Sequence, residues 1–267
     1  MQPDQASMTA RRVAHHRLSL DRVTAPFGRP ASDDRLQADV ADGLDLGPSP
    51  MARYFQARTT WFDRAVVDAL GEGVDQVVAV GAGYDGRSLR YARTGVRWFE
   101  LDHPSTQLDK RRRLTRLELD TTGISFVPAD FAVDDVAAVL AVAGHDPRRP
   151  TLFTCEGVAA YLADDVLGDL VAALGRVASA GSRLAIEIAL VARTDQARAR
   201  RARLSAAVGA MGEPLSEGLD PDDLEPLLDA SGWVLRSATD PAGVPLEVSS
   251  ASTVFVVATP ADAGGTA

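Results

Sequence analysis

Gln76-Val-Val-Ala-Val-Gly-Ala-Gly-Tyr-Asp-Gly-Arg-Ser-Leu89 is an apolar run that ends in two closely spaced glycines and leads into a helical pattern. Val77 to Val80 read as a strand buried on both faces, the pattern of a parallel sheet. Gly81 and Gly83 let the backbone turn tightly and approach a ligand with no Cβ in the way. They do so at the carboxyl end of the first strand, where open α/β sheets bind ligands. Gly86 falls at the third position of G-x-G-x-x-G, so the pattern of a dinucleotide-binding turn is formally met.

The next apolar run ends in Phe99-Glu100-Leu101-Asp102-His103-Pro104. The strand period of two puts Glu100 and Asp102 on one face. An acid at this place accepts hydrogen bonds from ribose hydroxyls, in a nicotinamide cofactor or in S-adenosylmethionine. The bare GxG with Asp85 and Arg87 beside it, followed by FELD at this separation, resembles the turn of S-adenosylmethionine-dependent methyltransferases, whose cofactor has no phosphate to cradle.

Outward from this turn the chain alternates. Strands are predicted at Gln76–Val80, Val96–Leu101, Ile124–Pro128, Thr151–Cys155 and Arg183–Ala189, with helical stretches around Ser88–Ala92, Ser105–Leu119, Val133–Ala143 and Asp164–Ala178 between them. That order implies a parallel sheet with helices on both faces. Upstream, a basic helix from about Ser7 to Leu20 and a helix over Met51–Leu70 flank a Pro-, Gly- and Asp-rich connection holding room for one short helix. Residues 1–70 thus read as a helical N-terminal extension. Downstream, Arg193–Met211 is a long polar helix within 190–215, read as a lid over the ends of strands four and five. A further helix at Pro221–Ala230 follows. Gly232–Arg236 and Ser252–Thr259 then read as an antiparallel edge, and 260–267 as a disordered tail of one single domain, 1–267.

Composition narrows the classes. A net charge of -9 argues against a nucleic-acid surface. Lys110 is the only lysine, a coding bias toward arginine. Cys155, the only cysteine, allows no intrachain disulfide and suits a reducing compartment. No apolar run approaches the ~20 residues of a membrane span, and MQPDQASMTARR lacks a signal-peptide core, so a soluble cytoplasmic protein is expected. The histidines have no metal-site spacing, and no G-x-S-x-G elbow occurs; no metal and no acyl hydrolysis are expected.

Five motifs, MARYFQARTTWFD, VVAVGAGYDGRSLR, WFELDHP, FVPADF and FTCEGVAAYL, resemble in order and spacing the leucine carboxyl methyltransferase family, from Thr9 to Leu174. The match is to its bacterial branch of S-adenosylmethionine-dependent O-methyltransferases, where polyketide carboxyl O-methyltransferases such as that of tetracenomycin biosynthesis lie. The resemblance implies a class I methyltransferase fold of α/β class, a Rossmann-like sheet, mostly parallel with an antiparallel C-terminal edge. It implies that Arg58 meets the cofactor's carboxylate, that Gly81 and Gly83 form the turn, and that Asp102 holds ribose. Asp130 and Phe131 would frame adenine, and Glu156 would lie near the amino group. Where the branch has a DPLA-like segment, this chain has SDDRLQAD, so Arg12 or Arg17 stands as a replacement cation and Arg17 as a substrate-pocket residue beside Tyr161.

Each site residue has a competing role. Asp102 and Asp130 could cap the helices that follow them. Glu100 could pair with Arg97 or support the turn. Arg58 could be a surface pair. Cys155 reads as a small buried hydrophobe. Tyr161 either lines a pocket or packs. Arg198, Arg200, Arg201 and Arg203 on the lid read as a solvated face, with substrate recruitment as the alternative. A carboxylate acceptor is ionised at pH 7 and needs no base, whereas a phenol does. His103 is the one histidine placeable at a strand end, on the cofactor side. The first expectation is therefore carboxyl methylation of a small molecule, in polyketide or other secondary metabolism. Phenolic or enolic O-methylation, a cofactor-bound cyclase or binding protein, and a nicotinamide oxidoreductase are the alternatives.

Overall fold

Five parallel strands and an antiparallel pair build one sheet. In the computed structural model, which describes residues 7–44, 47 and 51–261, these are β1 (Gln76–Val80), β2 (Arg97–Asp102), β3 (Ile124–Pro128), β4 (Thr151–Cys155), β5 (Arg183–Ala189), β6 (Trp233–Thr239) and β7 (Thr253–Pro260). Their order is β3-β2-β1-β4-β5-β7-β6, with β5 to β7 and β7 to β6 antiparallel. The class I methyltransferase architecture implied by the motifs is the one observed. The order reverses between β1 and β4, so the turns after those two strands face each other across a crevice.

The helices are α1 (Met8–Arg17), α2 (Asp34–Ala41), α3 (Ala52–Gly71), α4 (Arg87–Arg90), α5 (Pro104–Arg116), α6 (Val136–Val142), α7 (Asp164–Arg176), α8 (Asp195–Gly209) and α9 (Leu224–Ala230). On one face of the sheet, Phe62, Val66 and Leu70 of α3 pack on Val77, Trp98, Leu152 and Phe255. On the other, Leu170 and Leu174 of α7 and Leu228 of α9 meet Phe153, Ile186 and Trp233. A smaller cluster joins Ala14 of α1 to Leu36 and Val40 of α2 and Leu114 of α5. Among the described residues, no helix is long and apolar enough to cross a membrane.

Several boundaries differ from expectation for local reasons. His103, not Asp102, is the N-cap of α5, with Pro104 at its first position. α6 starts later than predicted because Asp135 caps it, accepting from the Ala137 and Ala138 N–H groups. Of the tail, Pro260 closes β7 and the Ala261 N–H donates to the Gly232 carbonyl at 2.8 Å; residues 262–267 lie outside the described residues.

Glu100 does not meet Arg97, whose guanidinium donates instead to the carbonyls of Gly144 and Ala143. Lys110 Nζ lies 2.6 Å from Glu100 Oε2 and 2.6 Å from the Asp85 carbonyl oxygen, and both charged side chains are almost wholly buried. Ser88 Oγ donates to the other Glu100 oxygen at 2.5 Å. Removing one partner of a buried pair strands the other charge and costs about 3–5 kcal/mol. Urea unfolding of Lys110→Met should show a loss of that size, and Lys110→Met with Glu100→Gln should recover most of it; a single variant as stable as the parent would contradict this account.

Candidate active site at the strand ends

The register of the sheet lines the site up. Val80 pairs with Leu101 on one side and Cys155 on the other, and Cys155 pairs with Ile186. One residue further along each strand come Asp102, Gly81, Glu156 and Glu187, so three acids and the turn glycine lie level across β2, β1, β4 and β5. Gly81 has φ +64°, and a Cβ built there would stand 2.7 Å from the Val158 side chain in the facing turn. Only glycine fits this approach.

Asp102 is buried, and each of its oxygens accepts a backbone N–H, from Gly83 at 2.6 Å and from His103 at 2.7 Å. Burial outweighs these donors and pushes its carboxyl up to about 6. Each oxygen keeps a second acceptor direction. Asp130 and Phe131 follow β3. Asp130 accepts from the Ala132 N–H at 3.1 Å, and its own N–H donates to Asp134. Phe131 packs against the α6 and α7 side of the core and lines a cleft of about 260 Å³ with Asp135, Asp169 and Arg176. That cleft contains none of Gly81, Asp102, Arg58, Glu156 or Tyr161.

Glu156 is the centre of charge. It meets Arg17 at 2.9 Å, Arg58 at 3.1 Å and Arg87 at 2.6 Å, with every one of these side chains under one-tenth exposed. Burial would raise its carboxyl, but the guanidiniums of Arg17, Arg87 and Arg58 hold it below the ordinary range. Arg87 continues to Asp85 and Asp63, Arg22 joins Asp63 to Asp33, and Arg90 closes on Asp33. Arg58 also reaches Glu187 at 3.4 Å, and Glu187 accepts from the Tyr54 hydroxyl. The sequence places Arg17 with the substrate; here it sits with Arg58 on Glu156.

Tyr161 lies in a short 3₁₀ turn after β4, Ala159–Tyr161. Burial, with Glu213 and Glu187 nearby, raises its phenol above the usual range, against the bond it shares with Thr9. Thr9 belongs to α1, which crosses the site: a Cβ on Gly83 would come 3.1 Å from Ala10 Cβ. Glu213, beyond α8, accepts from Ser7 Oγ at 3.0 Å, the Met8 N–H at 2.7 Å and the Thr9 hydroxyl. His16 of α1 stacks on Phe55, whose ring also carries the Arg58 guanidinium. Burial, then His15 and Arg12, lower the His16 pKa below 6.5.

The leucine carboxyl methyltransferase family matches residues 4–175, and relatives agree. A Mycolicibacterium smegmatis protein named "Putative S-adenosyl-L-methionine-dependent methyltransferase" is 32% identical over 242 residues, 80% of this chain and 75% of its own. A Frankia alni protein with the same description is 33% identical over 189 residues, 68% of this chain and 62% of its own. The chain belongs to the leucine carboxyl methyltransferase family. It is an S-adenosylmethionine-dependent methyltransferase. In fold it is similar to a DUF574 family protein from Streptomyces avermitilis (TM-score 0.57, 17% identity, 85% of this chain and 96% of that one). It is likewise similar to the CcbJ methyltransferase from Streptomyces caelestis (TM-score 0.53, 15% identity, 87% and 98%).

The methyltransferase has groups that fit the cofactor's amino-acid end. Arg17 Nε is buried with no hydrogen-bond acceptor among the described residues, and Arg58 Nε lies 3.1 Å from Glu156. The Arg17 donor without an acceptor, beside Arg58 and the Glu156 carboxylate, suits a ligand carrying both a carboxylate and an ammonium. Sequence reading missed Asp63, Tyr54, Glu187, Glu213 and the clustering of Arg22 and Arg87. Glu187 carried a signal, an acid inside the apolar run Leu184-Ala-Ile-Glu-Ile-Ala-Leu190; the others show no local pattern.

The acids of the cluster set a pH dependence. Burial raises Asp63, but Arg87 and Arg22 outweigh it and hold the carboxyl below its unfolded value. A depressed folded pKa gives stability that is present above about pH 4 and lost as pH falls through the folded value. Asp63→Asn should therefore cost about 3–5 kcal/mol at pH 7. The gap between the two melting curves should narrow as the pH falls below about 4; a gap constant from pH 7 to 3 would contradict the charge account.

Proposed function

We propose that this methyltransferase transfers the methyl group to a carboxylate oxygen of a small molecule, in polyketide or related secondary metabolism. The cofactor roles are part of the proposal: Asp102 accepts from ribose hydroxyls, Gly81 and Gly83 form the close turn, and Asp130 and Phe131 border adenine. Arg58 and Arg17 bind the cofactor's carboxylate, and Glu156 its ammonium. When bound, S-adenosylmethionine supplies an electrophilic methyl on a sulfonium, so that an acceptor oxygen gains the methyl as the C–S electron pair returns to sulfur.

One observation carries the carboxylate reading. The acids on the Tyr161 side are already committed as acceptors: Glu187 to Tyr54 and Arg58, Glu213 to Ser7, Met8 and Thr9. Neither is free to take a proton from a phenol, and His103 Nδ1 bonds Ser105 on the cofactor side. A carboxylate asks only for orientation and exclusion of water. The covering helix α1 and the half-buried Tyr161 phenol, a hydrogen-bond donor at neutral pH, supply both. A phenolic acceptor is the second reading, supported by His16, whose lowered pKa keeps it neutral and basic at pH 7.

S-adenosylhomocysteine should raise the melting temperature while NADP does not, since a ligand of the folded state stabilises by mass action. Asp102→Ala should weaken its binding by about 1.5–3 kcal/mol, the scale of hydrogen bonds to a charged group. Because Asp102 must ionise to accept from both hydroxyls, calorimetric affinity should rise with pH up to about 6 and then level off. Unchanged affinity in Asp102→Ala would remove Asp102 from the ribose.

With a carboxylate acceptor of pKa about 4, the rate under saturating cofactor should stay flat from pH 6 to 9. The product should be a methyl ester cleaved by mild alkali. An alkali-stable product, with activity that rises through the His16 titration and disappears in His16→Gln, would establish the phenolic reading instead.

A further inference from the structure

The polar helix α8 carries four arginines within six positions, 198 to 203, and three of their side chains are described. Arg198 turns back on the start of its own helix, 2.6 Å from Asp195 and bonded to the carbonyls of Ala192 and Arg193. Arg203 is exposed. Arg201 is drawn inward and half-buried. Its Nη2 donates to the Ser216 carbonyl at 2.6 Å, and the Ser216 N–H donates to the Ala160 carbonyl at 2.8 Å. This chain of bonds holds Arg201 against the turn that carries Tyr161. Among the described residues, no Asp or Glu lies within ion-pair distance of it.

The contrast with the neighbouring cluster is the argument. Arg17, Arg22, Arg58, Arg87 and Arg90 are each met by a carboxylate as they leave solvent. Arg201 is half-withdrawn from water with one carbonyl in return, and burial lowers its pKa. A withdrawn guanidinium without a counter-ion is costly until an anion arrives. Its planar fork matches a carboxylate in two-point contact.

We propose that Arg201 is the cation that receives the acceptor's carboxylate, on the Tyr161 side of the site. This rests on the carboxylate reading of the acceptor. Methylation turns the bound anion into a neutral ester, so the group that captures the substrate no longer holds the product. The other described α8 arginines have no such place: Arg198 bonds Asp195 and the carbonyls of Ala192 and Arg193, and Arg203 faces water.

Binding to the S-adenosylhomocysteine-saturated protein tests this without turnover. Benzoate, 2-naphthoate and hexanoate, their methyl esters, and 2-naphthol would be titrated by calorimetry and saturation-transfer NMR. The parent protein should bind at least one acid about tenfold more tightly than its ester, the scale of a charge-assisted hydrogen bond. Arg201→Gln should abolish that preference, Arg201→Lys should keep part of it, and Arg203→Gln should keep all of it, with S-adenosylhomocysteine affinity unchanged throughout. If Arg201→Gln retains the acid preference, the assignment of Arg201 fails and the carboxylate reading stands. If Arg201→Gln weakens S-adenosylhomocysteine, the residue belongs to the cofactor end and the assignment also fails. If the parent binds 2-naphthol or the esters but none of the acids, the carboxylate reading fails and takes the assignment with it.

Discussion

Glu156 is shared by three guanidiniums that come from three different helices, and the arrangement of the site follows from that sharing. An ionised carboxylate under one-tenth exposed is sustained only by matched charge and hydrogen bonds. α1 provides Arg17, α3 provides Arg58 and α4 provides Arg87, so one side chain at the end of β4 fixes where all three helices stand. Arg87 passes the constraint on to Asp63 and Arg22, which reach Asp33 beside α2. Compared with apolar packing, such a network contributes little net stability, but breaking any link is expensive. Its effect is to select one placement of the N-terminal helices over the strand ends.

The two pieces beside the Ala159–Tyr161 turn depend on each other. α1 lies over Gly83, and its first N–H groups, which have no partner within the helix, are met by Glu213 from beyond α8. The segment after α8 in turn rests on the Ala159–Tyr161 turn through Ser216. α8 itself buries little apolar surface, with Val208 its buried hydrophobe. Polar contacts such as Arg201 to the Ser216 carbonyl therefore hold it in place, an attachment of low local stability.

Much of the sheet was legible in the sequence, because parallel strands buried on both faces are continuous apolar runs bounded by glycine or charge. β1, β3, β4 and β5 have the bounds their runs suggest, and Glu100 and Asp102 share a face as the period of two requires. The candidate site was legible where it is local: the turn after β1, the acid that ends β2 and the acid that follows β4. What escaped is long in sequence separation. Arg17 finds Glu156 across 139 positions and Ser7 finds Glu213 across 206, and no periodicity within one helix announces a partner on another. Arg201 shows the same limit, since its helical neighbours are also arginines and only the Ser216 carbonyl distinguishes it.

Lys110 gives the chain an unusual chemical surface. The only side-chain amine in the sequence is folded inward, about 2% exposed and clasped by Glu100 and Asp85. Amine-directed acylating reagents and crosslinkers need an accessible, unprotonated nitrogen, and here they meet none among the side chains while the fold is intact. Labelling of Lys110 would therefore report opening of the β2–α5 corner.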